Sequence, residues 1–214
     1  MKRIILVALA VLFVAAGSAY AYPVQVNDIV GFNNGTYGTT AGGEFDIVDS
    51  NNNVLFKTFC LEYDEHVDYG SPFKVTDISG IAYGGGVNTD LGDPISKQTQ
   101  WLYWNYVTGA LEGATDYAYN NTGINALQRA IWLLEEEIIS TSDTLAQSLV
   151  VAAGFAVESG AYLGDVAVMN ITFMDGTPAQ SQLIANAPVP EPATMVLLGS
   201  GLVGLAFYRR KMKK

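Results

Sequence analysis

The sequence predicts an α+β protein with a β-rich, sandwich or barrel-like body that carries a helical insertion. Three observations predict this class: alternating apolar residues before residue 80, helical periodicity between residues 95 and 153, and renewed alternation at 166–174. Apolar residues at every second position indicate strands, whereas a spacing of three and four indicates helices. Because strand patterns flank the helical ones along the chain, the helices are expected to be an insertion.

The first strands are predicted as a hairpin. Residues 44–49 alternate, the polar cluster at 50–53 favours a turn, and residues 54–63 resume the strand pattern. The polar cluster begins like a calcium loop, but Val54 stands where such a loop needs glycine. Residues 72–78 are predicted as a third strand, after which a glycine-rich stretch precedes the helices.

Three helices are predicted, at 95–107, 122–139 and 142–153. The second has the three-and-four spacing of a buried face, formed by Ile124, Leu127, Ile131, Leu134 and Ile138. The three consecutive glutamates that begin at Glu135 are interpreted as its solvated face.

Charge is unevenly distributed. Between residues 22 and 189 there are 4 Lys and Arg residues against 20 Asp and Glu residues, so this body has a formal net charge of −16. Such a surface repels nucleic acid, which excludes a partner bound through its phosphate backbone. It favours partners that present amines, and it also suits the solubility of an exported protein. The sequence predicts neither a metal nor a cofactor.

The N-terminal segment has the pattern of a signal peptide. Lys2 and Arg3 precede the apolar stretch 4–16, and small residues place signal-peptidase cleavage after Ala21. The exported domain is then predicted at 22–176, and the Ala-, Gln- and Ser-rich segment 177–188 is interpreted as a linker.

The C-terminal segment, 189–214, combines a short polar motif, an apolar run and a basic end. The run at 193–208 has 16 residues, which as a helix span about 24 Å, against roughly 30 Å for the hydrocarbon core of a bilayer. The basic residues keep their end cytoplasmic and place the body outside; they include Arg209, Arg210 and Lys211. A glycine pattern at 199–204 matches a dinucleotide-binding loop, but no strand precedes it.

This tail resembles the PEP-CTERM sorting signal of bacterial exported proteins, with Pro190, Glu191 and Pro192 as its signature. The resemblance implies recognition by a membrane-embedded exosortase, which removes the tail and passes the protein to the cell surface or extracellular matrix. Signal peptidase and exosortase are therefore the expected processing partners, and a plain C-terminal membrane anchor is the alternative.

Cys60 is the single cysteine, so an internal disulfide is excluded. It lies among apolar residues in a predicted strand, and the simplest interpretation is a small buried hydrophobe. A second motif, 126–132, lies downstream on the second predicted helix, with Gln128 and Trp132 four residues apart.

Together the two motifs resemble the thioester domains of bacterial surface adhesins. The resemblance implies a bond between the Cys60 sulfur and the Gln128 side-chain carbonyl, formed with loss of ammonia. Trp132 could shield this bond, and a nearby hydroxyl could donate a hydrogen bond to it, from Tyr63, Tyr103 or Tyr106.

Two functions remain open at this point. In one, an amine- or hydroxyl-bearing surface partner, or the exopolysaccharide matrix, attacks the thioester once, so the protein is an adhesin and not an enzyme. In the other, it is a non-reactive structural or carbohydrate-associated protein of the biofilm matrix. A Cys60–His66 hydrolase is a third, minor alternative, because His66 lies in an acidic segment.

Overall fold

The computed structural model describes residues 22–39, 43–84 and 92–186. Within them the chain forms strands and helices in the order β1 (Ile29–Asn34), β2 (Gly43–Val48), β3 (Val54–Phe59), β4 (Phe73–Ser79), β5 (Ile81–Ala82), β6 (Asp93–Pro94), α1 (Lys97–Val107), α2 (Leu111–Ala114), α3 (Asn121–Leu134), α4 (Thr144–Glu158), β7 (Val166–Phe173) and β8 (Pro178–Ala185).

Six strands form one antiparallel sheet in the order β3-β2-β1-β4-β7-β8, and β5 pairs with β6 in a separate short ribbon. The sheet is curled, and its two edges meet at one point. There Cys60, which directly follows β3, is bridged to Gln182 of β8. Across the described residues this is a single bridge, so the sheet is not a closed barrel. The predicted mixture of a β-rich body and inserted helices is confirmed, whereas its closure into a barrel is not.

The predicted hairpin forms, with Ile47 opposite Phe56 in the β2–β3 pair. Several boundaries differ from the predictions, and the helix predicted at 142–153 runs instead from Thr144 to Glu158. The strand predicted at 54–63 ends at Phe59, and the helix predicted at 122–139 ends at Leu134. The helix ends early because the backbone turns out of the helical conformation at Glu136, whose φ is +61°. Glu135 is not on a solvated face: it is buried, and its carboxylate accepts hydrogen bonds from Ser96, the N-cap of α1.

The linker predicted at 177–188 is wrong for most of its length, because Pro178–Ala185 is the edge strand β8. Its polar side chains are buried, and those of Gln180 and Ser181 are hydrogen-bonded to other segments. Gln180 Nε2, for example, donates to the carbonyls of Glu62 and Glu65 at 2.6 and 2.7 Å. A polar strand is stable here because its side chains satisfy the backbone of the chain that leaves β3.

Two apolar clusters fill the body, one on each face of the sheet. Phe59 and Leu61 belong to the cluster that packs against the helices, and Cys60 between them belongs to the other. This follows from strand geometry, since successive side chains point to opposite faces. Trp132 of α3 also joins the second cluster, so α3 reaches the face on which Cys60 lies.

The two segments predicted for targeting fall outside the described residues, namely the signal peptide at 1–21 and the transmembrane run at 193–208. In the part of the chain that the structure describes, no helix has the length and apolar character needed to cross a membrane.

Candidate functional site

Cys60 lies where the two edges of the sheet meet, and it is fully buried. Leu61 N donates to Ser181 O at 3.1 Å, one residue beyond the Cys60–Gln182 bridge. This bond makes Cys60 and Gln182 a non-hydrogen-bonded pair, in which facing side chains lie on the same face and closest together. It also turns the Cys60 carbonyl away from β8, so that it is available to another partner.

Helix α3 supplies that partner. Its first turn is capped by Asn120, whose side chain accepts from Gly123 N, and its buried face carries Gln128 into the core with no exposed surface. Gln128 Nε2 donates to the Cys60 carbonyl at 2.9 Å, and Gln128 Oε1 lies 3.6 Å from Cys60 Sγ. The structure therefore brings the two predicted residues into direct contact.

The Gln128 amide fits against the backbone at the start of β2. A Cβ atom on Gly43 would lie 3.1 Å from Gln128 Oε1, and Gly43 has φ +133°, which side-chain-bearing residues rarely adopt. Glycine at this position thus leaves room for the amide oxygen.

Trp132, the side chain predicted to shield the bond, lies in the same apolar cluster as Cys60 and is 5% exposed. The Tyr63 ring packs edge-on against it with centroids 4.9 Å apart, and Tyr63 is itself 50% exposed. These two rings thus run from the buried cluster of Cys60 to the exposed surface.

The electrostatics of the site oppose a charged sulfur. Burial raises the pKa of the Cys60 thiol well above its usual value, and the carboxylates of Glu62 and Glu137 raise it further. The Trp132 side chain offsets a small part of this rise, although its Nε1–H makes no regular hydrogen bond within the described residues. The sulfur is thus a neutral thiol, and any reaction at it needs a group that accepts its proton.

The sequence interpretation did not single out Glu62, although it is only two residues beyond Cys60. It is 1% exposed, and its Oε2 accepts from Ser181 N at 2.7 Å. Burial raises the pKa of this carboxyl to about 8, and the charge of Glu65 adds to the rise. Its position within the cysteine motif was the available signal.

A second polar cluster, also not predicted, lies beside Gly43. The buried Glu44 carboxylate accepts from Lys57 Nζ at 2.8 Å, from the Tyr106 hydroxyl, and from the Tyr119 hydroxyl at 3.1 Å. Burial alone would raise the pKa of Glu44, but hydrogen bonds from Lys57 and Tyr106 outweigh it and hold the pKa below its usual value. This cluster is a set of mutually paired groups.

The other predicted hydroxyl donors are occupied or turned elsewhere. The Tyr103 hydroxyl donates to the Lys57 carbonyl at 2.7 Å, and that of Tyr106 to Glu44. His66 is exposed on the loop that follows Cys60. In the described ranges no three side chains of the His, Cys, Asp and Glu types are grouped so as to hold a metal ion.

The predicted sorting residues, Pro190 to Pro192 and the basic residues from Arg209, lie outside the described residues. Comparison with known families identifies this segment: residues 188–211 match the PEP-CTERM protein-sorting motif. The chain thus carries the sorting signal of an exosortase substrate, which implies export and transient anchoring at its C-terminal end. No curated protein and no solved structure matches the chain.

Proposed function

We propose that this protein is an exosortase-sorted protein of the cell surface or extracellular matrix that attaches covalently to a partner through a Cys60–Gln128 thioester. The observation that carries the proposal is the placement of one amide. Gln128 Nε2 is held by the Cys60 carbonyl at 2.9 Å, and Oε1 lies 3.6 Å from the sulfur of the same residue. Such fixed proximity is the main requirement of a condensation between two weakly reactive groups.

The proposed reaction has two steps. In the first, the sulfur bonds to the Gln128 side-chain carbon, the carbon–nitrogen bond breaks, and the thiol proton leaves with the nitrogen as ammonia. In the second, an amine or hydroxyl on a partner bonds to the same carbon, the carbon–sulfur bond breaks, and the proton that the nucleophile loses passes to the sulfur, so that Cys60 is released as a thiol. Each molecule reacts once, so the protein is a single-use adhesin and not a turnover enzyme.

The buried surroundings suit this role. The two residues have no exposed surface, Trp132 belongs to the same apolar cluster as Cys60, and the Tyr63 ring packs against Trp132. Exclusion of water from a thioester delays its hydrolysis until a partner enters. The acidic body, with its net charge of −16 between residues 22 and 189, favours partners that present protonated amines.

A second candidate is a non-reactive structural or carbohydrate-associated matrix protein. One observation favours it: a sulfur–oxygen distance of 3.6 Å also fits a thiol that donates a hydrogen bond to the amide. In that case Cys60 is a buried thiol with a satisfied polar group, and Gln128 has only a packing role.

Methylamine distinguishes the two. Incubation of the exported protein with methylamine is expected to convert Gln128 into its N-methyl amide and to release one thiol, and peptide mass spectrometry locates both. Gln128→Glu should not react, whereas Gln147→Glu, a change at an exposed glutamine of α4, should react like the unmodified protein. An unlabelled Gln128 together with a Cys60 thiol that alkylates in the untreated, denatured protein would support the non-reactive candidate.

A further inference from the structure

The carboxyl group of Glu62 takes the place of a backbone acceptor at the junction of β3 and β8. In an antiparallel ladder that continued past the Cys60–Gln182 bridge, Ser181 N would donate to the Leu61 carbonyl. Instead it donates to Glu62 Oε2 at 2.7 Å, while Leu61 N still donates to Ser181 O. The Glu62 carboxyl is therefore inserted between the two strands. The backbone group that it binds, Ser181 N, belongs to the residue next to Gln182 of the Cys60–Gln182 pair.

Two buried oxygen atoms at this junction make no hydrogen bond within the described residues: Glu62 Oε1 and Gln182 Oε1. Gln182 is fully buried, and its Nε2 makes only long contacts, of 3.3 and 3.4 Å, with Gln180. An unsatisfied buried polar atom costs roughly 1–3 kcal/mol. Two of them beside a buried cysteine indicate a site built to hold a transferable proton or a nitrogen that carries hydrogen.

We propose that the Glu62 carboxyl is the acid–base group of the Cys60–Gln128 condensation, and that Gln182 Oε1 accepts a hydrogen bond from the departing nitrogen. This inference rests on the proposed thioester function. It supplies what the buried neutral thiol lacks, namely a nearby group that both accepts and donates a proton.

The proton balance closes without any other reactant. As the sulfur bonds to the Gln128 carbon, one oxygen of the protonated Glu62 carboxyl accepts the thiol proton, and the other donates its proton to the departing nitrogen. Ammonia leaves, and Glu62 ends in its starting, protonated form. When an amine attacks the thioester, the same exchange runs in reverse: Glu62 accepts a proton from the amine and donates one to the sulfur.

The charge state of Glu62 agrees with this role. Burial raises the pKa of the carboxyl to about 8, so it is protonated at neutral pH. The charge of Glu65 acts on Glu62, and the charge of Glu137 acts on Glu65. The charges of Glu62 and Glu137 both act on the Cys60 thiol. The β8 residues next to Glu62, at 180–182, are uncharged.

The test is the rate of methylamine attack on the exported protein, followed as thiol release from its single cysteine across a pH series. Each rate is divided by the concentration of unprotonated methylamine at that pH, so that titration of the amine itself does not shape the profile. The rate is expected to fall as the pH rises through about 8, because Glu62 loses its proton there. Glu62→Gln keeps an acceptor for Ser181 N but cannot exchange a proton, and is expected to react about 100-fold more slowly with no such fall.

Glu65→Gln is a second, matched variant, for which a shifted pH profile is expected. It removes one nearby carboxylate and leaves Glu62 in place, and because Glu65 raises the pKa of Glu62, the fall in rate should move to lower pH. This variant also keeps the inference testable if Glu62→Gln does not fold.

The outcomes separate the two proposals. Rates and pH profiles that are the same in the unmodified protein, Glu62→Gln and Glu65→Gln would overturn the role of Glu62 and leave the thioester standing. If Glu62→Gln does not fold, a pH profile of Glu65→Gln that matches the profile of the unmodified protein overturns the role of Glu62. An unmodified protein with a free thiol before methylamine is added would overturn the thioester itself.

Discussion

The side-chain amide of Gln128 contacts Cys60 twice, through Nε2 on the backbone carbonyl at 2.9 Å and through Oε1 at 3.6 Å from the sulfur. These two contacts fix the plane of the amide against the Cys60 sulfur. They arise because Cys60 is in a non-hydrogen-bonded pair at the meeting of two sheet edges, which leaves its carbonyl for α3.

Trp132 is expected to protect the thioester from water. Trp132→Ala should release the Cys60 thiol faster in buffer alone, and should lower the free energy of unfolding by roughly 3–5 kcal/mol because a large buried ring is lost. Thiol titration over time measures the first effect and urea unfolding the second. Trp104→Ala, a change at a partly buried ring of α1, should leave the hydrolysis rate of the folded protein unchanged; equal acceleration in both would contradict a specific shield.

Gly43 is expected to be required for the amide to reach its position. Gly43→Ala would place a methyl carbon 3.1 Å from Gln128 Oε1 at φ +133°, so it should lower stability by more than about 1 kcal/mol and reduce the fraction of molecules that contain the thioester. Gly154→Ala is the control, since a Cβ there meets nothing within 4 Å and should stabilise α4 by about 0.5–1 kcal/mol. A fully linked Gly43→Ala protein would show that the close approach has no role.

The contribution of the buried Glu44 carboxylate to stability should depend on its ion pair with Lys57. Lys57→Met removes the cation that lies 2.8 Å from it, and the loss of one partner of a buried pair is expected to cost about 3 kcal/mol. Arg129→Met breaks the more exposed pair with Asp143 and should cost no more than about 1 kcal/mol. Denaturant unfolding at neutral pH measures both, and equal losses would contradict the burial argument.

Glu62 should make stability decrease with rising pH. Its pKa rises from 4.5 to about 8 on folding, so the folded state holds the proton more tightly than the unfolded state. This contribution is complete below pH 4.5 and is lost as the pH rises to about 8, at up to about 1.4 kcal/mol for each pH unit. Urea unfolding across this range should show a shallower decrease in Glu62→Gln; parallel profiles for the two proteins would count against a buried, protonated Glu62.

The pairing of Cys60 with Gln128 could be predicted from the sequence, because each residue lies in a short motif with a recognisable apolar setting. The hairpin and the helical insertion could be predicted as well, because the apolar residues in both have a strong periodicity. Strand β8 could not be predicted: Gln180, Ser181 and Gln182 have the composition of a linker. Gln180 donates to the backbone of the chain that leaves β3, and Ser181 donates to Asn170 of β7. These contacts join distant segments, so local periodicity does not contain them.

The same reason explains why the burial of Glu62 and Glu44 could not be predicted. An acidic residue in a strand or loop usually indicates an exposed position. Here Ser181 N, from a segment 119 residues away, holds the Glu62 carboxyl in the sheet, and the hydroxyls of Tyr106 and Tyr119 hold Glu44. Burial of these carboxyls is a property of the tertiary structure.

The intact mass of the purified exported protein tests the central proposal most directly. The thioester predicts a mass lower by one ammonia than the processed sequence requires. Cys60→Ala and Gln128→Ala should each abolish this deficit, and Gln147→Ala, at an exposed glutamine, should retain it. A full mass, together with a Cys60 thiol that alkylates once the protein is denatured, would contradict the thioester.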